Sequence, residues 1–219
     1  MSISPVYLEL GAKRVLACSL VWPGLARVAK NEEAALEALS AYVPRYAVVL
    51  QRARVPLDGL KGATWAVVQQ VPTRSGAADL GVPAVALGSD EEQVGPAEAA
   101  RTSALLKTAW ELFDEVVASA PPSLRKGPRG GGRDRDAIAD HVAAGEQMYA
   151  GRVGLKLHVP KPGASEVVRA NRQALLEWCL SGQALPAGRA GWPPRYAARR
   201  ILWHVLDHLW EIEDRREPI

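Results

Sequence analysis

The sequence predicts an α+β protein in which a small unit of strands and one helix precedes a bundle of four helices. Short β-rich runs separated by turn residues occupy residues 6–71, and such runs are typical of strands. Beyond residue 98 the chain shows long segments whose apolar residues recur with the period of a helix. Residues 72–97 between them are rich in glycine, proline and alanine and show no sustained period. We therefore expect two domains, residues 1–90 and 98–219.

The composition is that of an ordinary globular protein. Charged residues make up 23% of the 219 residues and the formal net charge is +3, which is too small to indicate nucleic-acid binding unless the charge is concentrated. The two cysteines lie far apart and suggest neither a disulfide framework nor a zinc knuckle. The sequence has no apolar run of the length that a membrane span or a signal peptide needs. We expect a cytoplasmic protein without a membrane segment.

Three strands, a helix and a fourth strand are predicted in the first domain. The strands are expected at Val6–Leu10, Val15–Val21, Leu25–Val28 and Trp65–Val71. Asn31 should cap the helix, because its side chain can accept a backbone N–H and two glutamates follow it in the first turn. Pro44 should interrupt that helix. The predicted order is βββαβ.

Four helices are predicted in the second domain. They are expected at Glu98–Ala118, at Arg133–Val153, from a cap at Ser165 to a stop at Gly182, and from Pro193 to Arg215. Four helices of these lengths joined by modest loops predict a four-helix bundle.

Three histidines of the bundle have the arrangement of metal ligands. His204 and His208 are four residues apart, so on a helix their side chains share one face about 6 Å from each other. His141 lies on another predicted helix, and metal sites in bundles form from side chains on facing helices. Three imidazoles accept Zn²⁺, Ni²⁺ or Fe²⁺ and leave a coordination position for water or substrate. The alternative is that these histidines cap the helix or bind nearby carboxylates.

Further candidate site residues lie next to and on the helix that carries His141. The segment 124–135 is basic and rich in glycine, and its Arg129, Arg133 and Arg135 could bind a carboxylate or a phosphate. A solvated loop is the equal alternative. Glu146 could act as a general base or as a hydrogen-bond acceptor near the metal, and an ordinary surface glutamate is its alternative. Cys179 is predicted to be a core residue.

The first domain resembles the HicB-like family of small α+β domains. The resemblance is carried by Val21–Leu39, VWPGLARVAKNEEAALEAL, in which a Pro-Gly turn leads into a short strand and a helix opened by two glutamates. Members of that family usually bind a small toxin RNase, often with an added DNA-binding segment that is not evident here. The resemblance therefore implies the fold and a possible protein partner for this domain.

The second domain resembles the DinB/YfiT superfamily of four-helix metal-binding bundles. The resemblance is carried by Ile138–Gly154 and Ile201–Arg215, because that family places one histidine on its second helix and an HxxxH pair on its fourth. The matching positions here are His141, His204 and His208. Characterised relatives include thiol-dependent transferases and isomerases, so the resemblance implies a divalent metal and a low-molecular-weight thiol as cosubstrate.

The sequence thus predicts a metal-dependent transferase or hydrolase that acts on a small molecule through a metal-activated thiol or water. A non-catalytic protein that binds metal or a protein partner is the alternative, and the sequence leaves open whether the site is catalytic. A nucleic-acid role is disfavoured, because aromatic residues are not interleaved with the basic ones. Bundles of this kind can pair through exposed helices, so a homodimer is compatible with the sequence.

Overall fold

A computed structural model of the chain describes residues 3–60, 62–127, 131–182 and 191–216. The described strands are β1 (Ile3–Leu10), β2 (Val15–Ser19), β3 (Ala26–Ala29) and β4 (Thr64–Pro72). The described helices are α1 (Glu32–Ala41), α2 (Val43–Arg52), α3 (Pro96–Ser119), α4 (Arg135–Arg152), α5 (Ser165–Ser181) and α6 (Pro194–Arg215). The α+β class is confirmed, with these strands before α3 and the four longest helices after the connector.

The four strands form one mixed sheet. Their order is β3-β2-β1-β4, in which β1 is antiparallel to β2 and parallel to β4, and β2 is antiparallel to β3. The parallel pair requires a crossover, which α1 and α2 provide. The four predicted strands are present with two differences of more than one residue in their bounds: β1 begins at Ile3 rather than Val6, and β2 ends at Ser19 rather than Val21. The chain turns there, because Ser19 Oγ accepts the backbone N–H of Trp22 (3.1 Å) and Leu25 donates to the Trp22 carbonyl (3.0 Å).

The predicted cap and interruption of the first helix are both confirmed. Asn31 Oδ1 accepts the backbone N–H of Ala34 at 2.9 Å. α1 ends at Ala41 and α2 begins at Val43, with Pro44 in the first turn of α2. Proline has no N–H to continue the hydrogen bonding of α1, but it fits a first turn.

The four helices predicted after the connector are present, and one of their caps is wrong. α5 begins at Ser165 itself, so the flanking position belongs to Ala164, which has no capping side chain. Gly182 ends α5 in the left-handed conformation (φ 62°), as predicted. α3 packs against α5 and α6, and α4 packs against α3, α5 and α6. Among the described helices, none has the length and apolar character needed to cross a membrane.

The helix α6 packs directly against the N-terminal part. Gly24 has φ of 89°, and a Cβ at this position would lie 2.9 Å from Cβ of Leu202 on α6. Only glycine allows both this conformation and this close approach. Val6 and Leu8 of β1 belong to the same hydrophobic core as Leu202. The sheet and α6 therefore share one hydrophobic core. The division into two domains between residues 90 and 98 stays a prediction.

The connector between the sheet and α3 is fixed to α6 by ion pairs. It contains two short 3₁₀ turns, Ala78–Leu80 and Gly88–Glu91. Arg199 of α6 binds both oxygens of Asp90, and both side chains are buried. Arg195, one turn earlier, donates from Nη1 to Glu92 at 2.9 Å. This part of the chain is thus a packed element and not a free linker.

Candidate metal centre

The helices α4 and α6 bring the three predicted histidines together. His141 lies on α4 and faces His204 and His208 on α6, and one ring nitrogen from each lies within 4.8 Å of the other two. Nε2 of His204 is 3.2 Å from Nε2 of His141. The sequence therefore identified three side chains that the fold places in one cluster, which we call the histidine cluster.

The nitrogen separation in the histidine cluster fits a shared metal ion. Two nitrogens bound to zinc at about 2.0–2.1 Å with a near-tetrahedral angle would lie about 3.3 Å apart. The observed 3.2 Å between His141 and His204 is close to this value, although a single N–H···N hydrogen bond has a similar length. The ligand chemistry of the three side chains and the His141–His204 separation are thus compatible with a divalent transition metal.

A glycine of α4 makes room for the buried histidine. Gly145 lies one helical turn after His141, and a Cβ on it would be 2.5 Å from Cε1 of His204. Glycine inside a helix costs about 0.5–1 kcal/mol relative to alanine, so its position here is explained by the ring that lies against it. The sequence interpretation missed Gly145, and the available signal was a glycine four residues after a candidate ligand on the same helix.

The ring of His208 is oriented by a carboxylate. Nδ1 of His208 lies 2.7 Å from Oε2 of Glu211, one turn along α6. An ionised carboxylate only accepts hydrogen bonds, so Nδ1 of His208 carries the proton of this hydrogen bond and Nε2 is the ring nitrogen that remains to face the other two histidines. Burial raises the pKa of Glu211, but hydrogen bonds from His208 and Arg215 outweigh it and hold the pKa below its ordinary value. Glu211 therefore stays ionised and can fix the ring.

The surroundings favour the neutral form of His204 and His141. Burial, followed by the charges of His208 and His141, lowers the pKa of His204 to about 2. Burial and then His208 also lower the pKa of His141. Nδ1 of His204 is buried and has no hydrogen-bond partner within the described part of the chain. Neutral imidazole is the form that binds a metal, so His141 and His204 could accept a cation without losing a proton.

The predicted anion-binding arginines have different surroundings. Arg133 is exposed, and its charge contributes to the lowered pKa values of His141 and His204, so it lies near the histidine cluster. Arg135 instead donates to the Ala120 carbonyl at 2.8 Å and to Asp136, so its guanidinium is already bound by the protein. Arg129 lies outside the described residues.

Glu146 is buried, and the alternative that it is a surface glutamate is wrong. It is 1% exposed, and both of its oxygens accept from Nε of Arg172 on α5, at 3.1 and 3.2 Å. Nη1 of Arg172 also donates to Asp114 on α3. Burial raises the pKa of Glu146, and the Arg172 guanidinium opposes that rise. Glu146 thus faces α5, whereas His141 on the same helix faces α6.

Cys179 is a core residue, as predicted. It is 7% exposed, and its Sγ lies 3.9 Å from the Ala99 carbonyl. Burial raises the pKa of its thiol to about 12, so it is not a thiolate at neutral pH. Any nucleophilic thiol at the histidine cluster must therefore come from elsewhere than Cys179.

The chain shows no significant match to a protein-family model, a curated protein or a solved structure. The site is therefore described by its own geometry, which is a cluster of three histidines at the seam between α4 and α6. His204 is buried, while His141 and His208 are partly exposed, so the cluster is reachable from the side of those two rings.

Proposed function

We propose that the protein binds a divalent transition metal through His141, His204 and His208 and uses it in a transferase or hydrolase reaction on a small molecule. The observation that carries this proposal is the convergence of three imidazole nitrogens within 4.8 Å of one another. The resemblance of both histidine-containing segments to the DinB/YfiT bundles supports the same assignment. Zinc, nickel and iron(II) all suit three imidazoles.

The protein residues around the proposed metal have distinct roles. A divalent metal at such a site lowers the pKa of a bound thiol or water and so supplies a nucleophile near neutral pH. Glu211 holds the ring of His208, and Gly145 leaves the space in which His204 sits. The charge of Arg133 beside the cluster would favour an anionic group on the substrate or on a low-molecular-weight thiol.

Metal content tests this proposal directly. The wild type, His204→Ala and a matched control, His158→Ala, would be purified without chelator or metal-affinity resin and examined by elemental analysis. His158 lies in the loop before α5, outside the histidine cluster. We expect about one metal per chain in the wild type and the control and none in His204→Ala. A wild type that binds no added zinc, nickel or iron(II) contradicts the proposal.

Catalysis is tested separately from metal binding. Metal-loaded protein would be assayed for transfer of a low-molecular-weight thiol to an electrophile and for ester or amide hydrolysis, with His204→Ala as the control. Turnover that depends on His204 supports the enzyme assignment. A loaded protein that turns over none of these substrates would retain the metal site and refute the proposed reaction.

A partner-binding role for the N-terminal part is a second candidate, and the exposed edge of the sheet favours it. β4 lies at the end of the strand order, and its Val68 is 58% exposed. An open strand edge can pair with a strand of another protein. Co-purification of a protein that is lost when Val68→Lys is introduced would support this role.

A further inference from the structure

A cleft of about 710 Å³ lies between α3, α4, α5 and residues 160–165. It is on the α5 side of α4, and none of the three clustered histidines lines it. Small-molecule sites usually measure about 300–1,000 Å³. The cleft is therefore large enough to be a binding site separate from the proposed metal centre.

The walls of the cleft are mainly apolar. Six of the residues that form them are Trp110, Phe113, Val117, Ala143, Val168 and Leu176. Such walls favour a hydrocarbon or aromatic body, because binding removes apolar surface from water on both sides.

The polar anchor of the cleft is Arg172, whose side chain is 12% exposed. Its Nε donates to both oxygens of Glu146, and its Nη1 donates to both oxygens of Asp114 at 2.9 Å. Within the described part of the chain, Nη2 has no hydrogen bond to an acceptor. The two carboxylates differ, since Glu146 is buried and the Asp114 side chain is 63% exposed. Glu146 thus fixes the guanidinium, while Asp114 covers the edge that faces the cleft and solvent.

We propose that this cleft binds a small carboxylic acid with an apolar body, whose carboxylate replaces Asp114 on Arg172. Arginine holds carboxylates through two parallel hydrogen bonds, and Nη1 and Nη2 offer such a pair once Asp114 moves away. An ion pair with one largely exposed partner contributes little to stability, so Asp114 is easily displaced. Lys161 and Arg169 also line the cleft, are exposed, and offset the added negative charge.

The test compares two ligands that differ only in the head group, octanoate and 1-octanol, by isothermal titration calorimetry. The variant Asp114→Asn removes the competing charge and leaves Glu146 and Arg172 in place. It should bind octanoate about 2- to 5-fold more tightly, as expected for the loss of one exposed ion pair, and should bind 1-octanol as the wild type does. The wild type itself should prefer octanoate.

A second variant tests the location of the ligand. Ala144 on α4 lines the cleft and is exposed, so Ala144→Trp fills the space without disturbing the core and should weaken octanoate binding about 10-fold or more. Ala100→Trp is the matched control, because Ala100 is an exposed residue of α3 outside the cleft lining. The control should bind octanoate as the wild type does.

Three results would overturn the proposal. They are failure of the wild type to bind millimolar octanoate, equal effects of Asp114→Asn on the acid and the alcohol, and full binding by Ala144→Trp. The titration is repeated with metal-free His204→Ala, which should bind octanoate unchanged. Loss of binding in that variant would assign the carboxylate to the metal site and not to Arg172.

Discussion

The two sides of α4 bury ionisable side chains in opposite ways. On the side that faces α6, His141 meets the imidazoles of His204 and His208, and burial favours the neutral state of His141 and His204. On the side that faces α5, Glu146 is buried as a partner of the Arg172 guanidinium. A carboxylate in the interior needs a cation and hydrogen bonds, whereas an imidazole can lose its charge and keep a lone pair. The comparison indicates that burial of ionisable groups alone does not distinguish a candidate metal site, whereas ring nitrogens that face one another do.

The largest effect on stability is expected when the buried ion pair between Glu146 of α4 and Arg172 of α5 is removed. Arg172→Ala leaves the buried Glu146 without its cation, so the free energy of unfolding should fall by about 3–5 kcal/mol, measured by urea denaturation. The control is Arg169→Ala, at an exposed position on α5 one turn before Arg172. It should change the free energy of unfolding by less than about 0.5 kcal/mol. A loss below about 1 kcal/mol for Arg172→Ala would show that Glu146 finds another partner or protonates easily.

The side of α4 that carries His141 is best tested by substitution of Gly145, which lies against the ring of His204. Gly145→Ala places a methyl group against the ring of His204, so metal affinity should fall about 10- to 100-fold, as is typical when the support of a ligand is lost. Metal titration against a competing chelator measures this change.

Gly151 on the same helix is the matched control, because a Cβ there meets no atom within 4 Å. Gly151→Ala should leave metal affinity unchanged and should stabilise the protein by about 0.5–1 kcal/mol. Equal metal affinity in both alanine variants would mean that His204 can move without cost and that Gly145 does not seat it.

A smaller effect is expected when the support of His208 is altered. Glu211→Gln keeps an oxygen that can accept from Nδ1 but removes the negative charge, so metal affinity should fall about 10-fold, the low end for a supporting residue. Glu213→Gln, at a partly exposed position on α6, should have no effect on metal affinity. A greater loss with Glu213→Gln than with Glu211→Gln would contradict the assigned role.

The smallest effect is a change in the pH dependence of stability. Burial raises the pKa of Glu146 above its ordinary value, so the folded state binds its proton more tightly than the unfolded state does. The contribution of this group is fully present below about pH 4.5 and is lost as the pH rises through the folded-state pKa. The wild type should therefore lose stability relative to Glu146→Gln between pH 4.5 and 7. A relative gain over that range would show that the charged form is the one favoured by the fold.

The sequence predicted the features that depend on local spacing. The helical positions of His204 and His208, the cap at Asn31 and the stop at Gly182 all follow from residues within a few positions of one another. The pairing of Glu146 with Arg172 joins residues 26 positions apart on different helices. It depends on which helix packs against which side of α4, and a single sequence does not contain that information. The same reason explains why Gly145 was overlooked, since the His204 ring that lies against it comes from another helix.

The contact of α6 with the sheet has a consequence for the order in which the chain folds. α6 is the last described helix to leave the ribosome, and it joins the sheet through the ion pair of Arg27 with Asp207, which are 180 residues apart. Contacts between residues so far apart in the sequence make folding slow, because the entropy cost of closing the loop between them must be overcome before they stabilise the chain. Since α6 also carries His204 and His208, the packing of α6 against the sheet and the assembly of the histidine cluster both require the same helix to be in place.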